Sequence, residues 1–104
     1  MKADRYLYRR QFIIGPKKIN GFHHWYHSEL PDGSYIYVHP DLYCMVASRK
    51  RDFIALMGYI LDPFNPSRNN SQIISDMLKS CKSIEDLFRY LEPVGGRFVI
   101  IAGL

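Results

Sequence analysis

The densest group of chemically competent side chains is His23-His24-Trp25-Tyr26-His27, with His39 further along. Imidazoles can ligate a metal, move protons or respond to pH near neutrality. If this segment is extended, His23, Trp25 and His27 share one face and Phe22, His24 and Tyr26 the other. His23 and His27 then stand about 13 Å apart at about 3.3 Å per residue, too far to share one ion. No Asp or Glu lies at ligand spacing beside them, and metal sites need convergent ligands. Neither a metal nor a cofactor is expected, and His23 with Trp25 is expected to cover sheet surface.

Nucleophiles are equally sparse. Gly-x-Ser-x-Gly, a glycine-rich phosphate loop and His-Glu-x-x-His are all absent from the sequence. Cys44 and Cys81 have no Cys-x-x-Cys partner and read as small buried hydrophobes, one in a strand and one on a helix face. Ser67, Ser71, Ser75, Ser80 and Ser83 gather around helix starts, where capping and solvation account for them. Tyr35 and Tyr37 share a strand face as an RNA-binding sheet would require, but the aromatic RNA-binding signature is missing, and cross-strand pairing explains the tyrosines more simply.

The elements that must position these groups follow from pattern. Residues 6–14 are β-branched and aromatic, and Gly15-Pro16 stops them, so a strand and turn are expected. Residues 19–28 read as a second extended run. Leu30-Pro31-Asp32-Gly33-Ser34 supplies turn chemistry, and residues 35–38 return to complete a hairpin. Residues 42–48 and 53–61 are two more strands around Arg49-Lys50-Arg51-Asp52, four charges that suit an exposed tip. Pro63 and Pro66 exclude a continuing central strand. Ile73, Ile74, Met77, Leu78 and Cys81 make one helical face with Asn70 or Ser71 as N-cap. Ser83-Ile84-Glu85-Asp86 resembles a capping box with Asp in place of Glu, opening a second helix through Leu91. Residues 97–102 form a continuous apolar run of the kind buried on both faces. Strands, then two helices, then a strand predict an α+β layer protein, with antiparallel sheets and helices on one face.

Length and charge bound the partners. The 104 residues suit one domain and one core. No apolar run approaches the roughly 20 residues of a membrane span, and the start has no apolar signal core. A cytoplasmic protein without a membrane partner is the expectation. The net charge of +4 comes entirely from residues 1–52, in the small groups Arg9-Arg10, Lys17-Lys18 and Arg49-Lys50-Arg51. Such groups usually solvate turns, and a phosphate-tracking surface needs several on one face. Nucleic acid is therefore not an expected partner.

From Leu56 onward the residues carry a resemblance. Leu56-Met57-Gly58-Tyr59-Ile60-Leu61-Asp62-Pro63, the helix from Asn70 to Cys81, Ser83-Ile84-Glu85-Asp86-Leu87 and Gly95-Gly96-Arg97-Phe98-Val99-Ile100-Ile101 look like the amino-terminal, glutaminase-type half of asparagine-synthase-like proteins, in particular divergent bacterial members. The match covers about half the chain, and residues 1–50 match only loosely. It implies part of the αββα class II glutamine amidotransferase fold, of the amino-terminal-nucleophile hydrolase type. In that family a mature amino-terminal Cys uses its own α-amine as base. Aligning Phe12-Ile13-Ile14-Gly15 with the family's opening strand puts Gln11 at the nucleophile's place, with ten residues before it. The oxyanion-binding Asn-Gly pair falls at Met57-Gly58, where Met57 cannot donate. His39-Pro40-Asp41-Leu42, nearest to the glutamine-binding segment, has no Arg.

The resemblance thus implies a pseudoenzyme with no catalytic residues, its degenerate positions being Gln11, Met57 and Gly58. The expected function is a scaffold or interaction domain that pairs with a second copy or a synthetase domain through the edge beside Arg97 to Ala102. The expected chain is an amino-terminal portion of a larger domain continuing beyond Leu104. Two other classes stay open: a residual amide hydrolase using His24, His27 or Cys44, and a weak nucleic-acid binder using the basic groups.

Overall fold

A computed structural model describes residues 11–104, which divide into two compact units with the boundary between Tyr43 and Cys44. Together they make an α+β protein with two three-stranded antiparallel sheets and two helices.

In the first unit, Gly15-Pro16 ends β1 (Phe12–Gly15) as the composition predicts; residues 6–10 of the expected strand lie outside the described residues. The predicted hairpin forms from β2 (Tyr26–Glu29) and β3 (Tyr35–Val38), and the sheet order is β1-β3-β2. Its turn is closed by Leu30 N–H donating to Ser34 O (2.8 Å) and Gly33 N–H to Leu30 O (2.9 Å), with Gly33 at φ +88°. Asp32 Oδ1 accepts from both Ser34 Oγ (2.6 Å) and Ser34 N–H (3.0 Å), and these bonds hold its carboxyl below the usual carboxylate range.

The extended reading of residues 19–28 is corrected. Gly21 takes φ +93°, which turns the chain, and Trp25 N–H closes a turn onto Phe22 O (3.0 Å), so β2 begins only at Tyr26. The Phe22 and Trp25 rings meet edge to face at 4.9 Å inside that turn. Trp25 is 2% exposed and packs from this turn, ahead of β2, not from within an extended strand.

The second unit holds β4 (Cys44–Arg49), β5 (Asp52–Leu61), α1 (Asn70–Ser80), α2 (Ile84–Leu91) and β6 (Gly95–Gly103), with sheet order β4-β5-β6. The four-charge tip is a tight hairpin: Arg49 pairs with Asp52, and Lys50 takes φ +58°. Asn69, not Asn70 or Ser71, caps α1. Its Oδ1 accepts from Gln72 N–H (2.9 Å) while Gln72 Oε1 accepts from Asn69 N–H (2.9 Å), a reciprocal box that Asn70 could not make because Gln72 is three residues from Asn69. Ser83 caps α2 through Asp86 N–H (3.2 Å), and the Asp86 carboxylate accepts from Lys82 N–H rather than from the cap residue itself.

Alternation along β5 sends Ile54, Leu56 and Ile60 to one face, where they pack with Ile73, Ile74, Met77, Leu78 and Cys81 from α1 and its C-cap and with Leu87 of α2. Each such burial stabilises by about 1.5–3 kcal/mol. The helices thus back one face of this sheet. The expectation that residues 97–102 are buried on both faces is overturned: β5 is the interior strand, and β6 is last in the order. Phe98, Ile100 and Ala102 pack against the core, whereas Arg97 is exposed and Val99 is 44% exposed.

Two glycines set how closely β5 and β6 approach. Gly58 (φ +102°) and Gly96 (φ +117°) flank the Tyr59–Arg97 pair, and a Cβ on either would meet the opposite strand's carbonyl oxygen, Arg97 O at 2.2 Å and Tyr59 O at 2.4 Å. Where β4 ends opposite Met57, the Asn70 side chain takes over. It donates to Gly58 O (3.4 Å) and accepts from Ile60 N–H (3.1 Å), supplying the donor and acceptor a neighbouring peptide group would offer.

Candidate functional site

The positions singled out by the resemblance belong to different units. Gln11, in the first, is half-buried ahead of β1, and its backbone carbonyl accepts from His39 N–H (2.9 Å). Met57 and Gly58 are consecutive in β5. Met57 is buried at 2% exposure, opposite Cys44 on one side and Val99 on the other. The contact of Gly58 with the Arg97 backbone gives this glycine a packing reason of its own.

Cys44 has the thiol nearest to these positions in register, and burial pushes it up to about 11. A thiol that holds its proton at neutral pH is a poor nucleophile. Cys81 is displaced upward too, first by burial and then by Asp86 and Asp76. The imidazoles are engaged locally. His27 Nδ1–H donates to Trp25 O (3.0 Å) and its ring stacks on Tyr37 at 5.7 Å. His39 Nδ1 accepts from Asp41 N–H (3.0 Å), and its ring meets Trp25 edge-on at 5.2 Å. His23 and His24 sit in the Phe22–Trp25 turn with their rings edge to face at 5.2 Å. Among the described residues no group of three His, Cys, Asp or Glu could hold a metal ion, and no helix is long and apolar enough to cross a membrane.

The structure gathers a polar cluster that the sequence pattern did not single out. Asp62 just after β5, Arg68 before α1, Asp76 on α1 and Tyr90 on α2 line an open cavity of about 200 Å³ whose lining includes Phe64. Arg68 Nη1 donates to Asp62 Oδ2 (2.9 Å), and Arg68 Nη2 donates to Tyr90 Oη (3.2 Å) and lies 3.3 Å from Asp76 Oδ2. Tyr90 Oη in turn donates to Asp76 Oδ2 (2.6 Å). Burial, and then this bond to Asp76, raise the Tyr90 phenol above its ordinary value, and the Tyr90 bond raises Arg68 further into its always-charged range. With the guanidinium divided between two carboxylates and a phenol, the cluster pins the 62–69 loop to both helices. It supplies no free base and no nucleophile. Its one legible trace in the sequence was the pair of turn-forming prolines around Phe64.

No family model, no curated protein and no solved structure matches this chain.

Proposed function

We propose that the chain is a non-catalytic, degenerate glutamine-amidotransferase-like domain of an asparagine-synthase-like protein, acting as an interaction domain through the free side of β6. The observation that carries this reading is the sheet order. β6 is nine residues long and has β5 on one side and, among the described residues, no strand on the other. Such a side offers a row of backbone donors and acceptors for strand addition. The succession β5, α1, α2, β6 supports the family reading.

Loss of hydrolysis follows from chemistry. A glutaminase needs a thiolate with a base and a donor pair facing the developing oxyanion, and one missing donor costs roughly 10²–10³ in rate. Gln11 has no nucleophilic atom, Met57 has no donor, and Cys44 keeps its proton.

Light scattering tests the association: a dimer at tens of micromolar is expected, with Val99→Lys shifting it to monomer. A monomer at every concentration overturns the edge-pairing reading. Incubation with glutamine should release no ammonia, and turnover abolished by Cys44→Ala would overturn the non-catalytic reading in favour of a residual amide hydrolase.

A further inference from the structure

Folding adds a distant lysine to the charged hairpin tip. Lys82, in the α1–α2 connection, lines a shallow depression of about 450 Å³ together with Arg49, Lys50, Arg51 and Asp52. Four cations therefore face one open surface against a single carboxylate. None of the four makes an ion pair or side-chain hydrogen bond among the described residues. The nearby Asp86 carboxylate forms no ion pair with any of the four: its Oδ2 accepts from the Lys82 backbone N–H (2.9 Å) and its Oδ1 lies 4.0 Å from Arg89 Nη1. Lys50 is also the one described non-glycine residue with positive φ, at +58°. Glycine, asparagine or aspartate would occupy that backbone more easily, so a lysine there is held against local preference.

We propose that Arg49, Lys50, Arg51 and Lys82 form a sequence-independent binding surface for the phosphate backbone of duplex nucleic acid. Three features select this occupant. The cations are ends of exposed, flexible side chains around an open depression, a set that neutralises successive phosphates but does not build the fixed geometry of a small-anion pocket. No aromatic side chain lines the depression, so the stacking platform on which single strands are held is missing. No apolar side chain lines it either, which disfavours the insertion that anchors a protein to a lipid surface. The residues of this surface belong to the β4–β5 tip and the α1–α2 connection, and the proposal does not depend on the proposed function above.

The test is fluorescence anisotropy of a labelled 20-base-pair DNA duplex titrated with the full chain between 50 and 200 mM salt. With up to four phosphates engaged, the logarithm of affinity should fall against the logarithm of salt with a slope of about −3 to −4, about a hundredfold loss over that range. Lys82→Gln should reduce the slope by about 1, as should Arg51→Gln, despite their separation in sequence. Lys17→Gln with Lys18→Gln should leave it unchanged. Circular dichroism checks that each variant is folded. Absence of binding at 50 mM salt overturns the proposal. So does a slope unmoved by Lys82→Gln, binding lost in the Lys17/Lys18 variant alone, or retention on anionic phosphatidylserine vesicles without retention of the duplex.

Discussion

The two units are held together by different means. In the first, strands of only four residues are organised around aromatic contacts: Phe22 on Trp25 at 4.9 Å, Phe22 beside Tyr37 at 6.2 Å, His27 stacked on Tyr37. The second has strands of up to ten residues, backed by an aliphatic face to which two helices contribute. Aromatic contacts have preferred geometries and add about 0.5–1.5 kcal/mol beyond area, whereas an aliphatic core gains from volume filled at every position. The first unit also carries a defect: among the described residues, Trp25 Nε1 is buried without a hydrogen-bond partner. Such a donor costs about 1–3 kcal/mol, so this unit spends part of its packing gain on one atom.

The contrast can be broken at several points. Leu56→Ala, in the centre of the aliphatic face, should lower stability by about 2–5 kcal/mol in urea unfolding; a loss under about 1 would mean that this core does not dominate its unit. Gly58→Ala should cost about 2–4 kcal/mol, because the new Cβ meets backbone that cannot yield and φ stays positive. Its expected signature is faster hydrogen exchange in β6 with α1 still protected. Ser83→Ala removes the α2 cap at about 1 kcal/mol, read as a shift in urea midpoint. Trp25→Phe should change stability by less than about 1 kcal/mol, since removing the orphaned N–H offsets the lost ring area; a loss above about 3 would show that the indole N–H is satisfied.

A further effect is alkaline. Burial raises the folded-state Cys44 and Tyr90 above their ordinary values, so the folded chain holds these protons longer than the unfolded chain does. Their contribution is fully present below the unfolded values. It is lost as pH rises from about 9 through about 11, so unfolding midpoints should decline over that window. Thermal melts at pH 7, 9 and 10.5 check the sign, and Cys44→Ala should flatten the first part of the decline.

What the sequence disclosed depended on how local the cause was. The α1 and α2 faces, the Leu30–Ser34 turn and the Arg49–Asp52 tip were legible because periodicity and turn chemistry act within a few residues. The α1 cap was misplaced by one position because Asn69, Asn70 and Ser71 are all competent, and the reciprocal bond with Gln72 decides among them. The turn at Phe22–Trp25 escaped because its aromatic residues score as strand formers, while one glycine torsion ended the extended run. Lateral order in a sheet leaves no mark in a strand's own composition. Residues 53–57 and 98–102 are both apolar, and only topology makes β5 central and β6 the edge. The Asp62–Arg68–Asp76–Tyr90 cluster and the approach of Lys82 to the charged tip unite residues far apart in the chain, beyond the reach of spacing arguments.

The paired glycines have a consequence for how the second sheet assembles. The β4–β5 hairpin needs only a local turn and belongs to the class of events completed in about 1–10 μs. β6 reaches β5 only after the chain has traversed both helices, a non-local pairing of the slow kind. A late-arriving apolar strand can dock out of step, and a slip of two residues preserves which side chains face the core. Here such a slip moves a side chain into one of the two places where only a hydrogen fits. Gly58 and Gly96 therefore act as a gauge of alignment during folding, rejecting the mispaired sheets that hydrophobic patterning alone would accept.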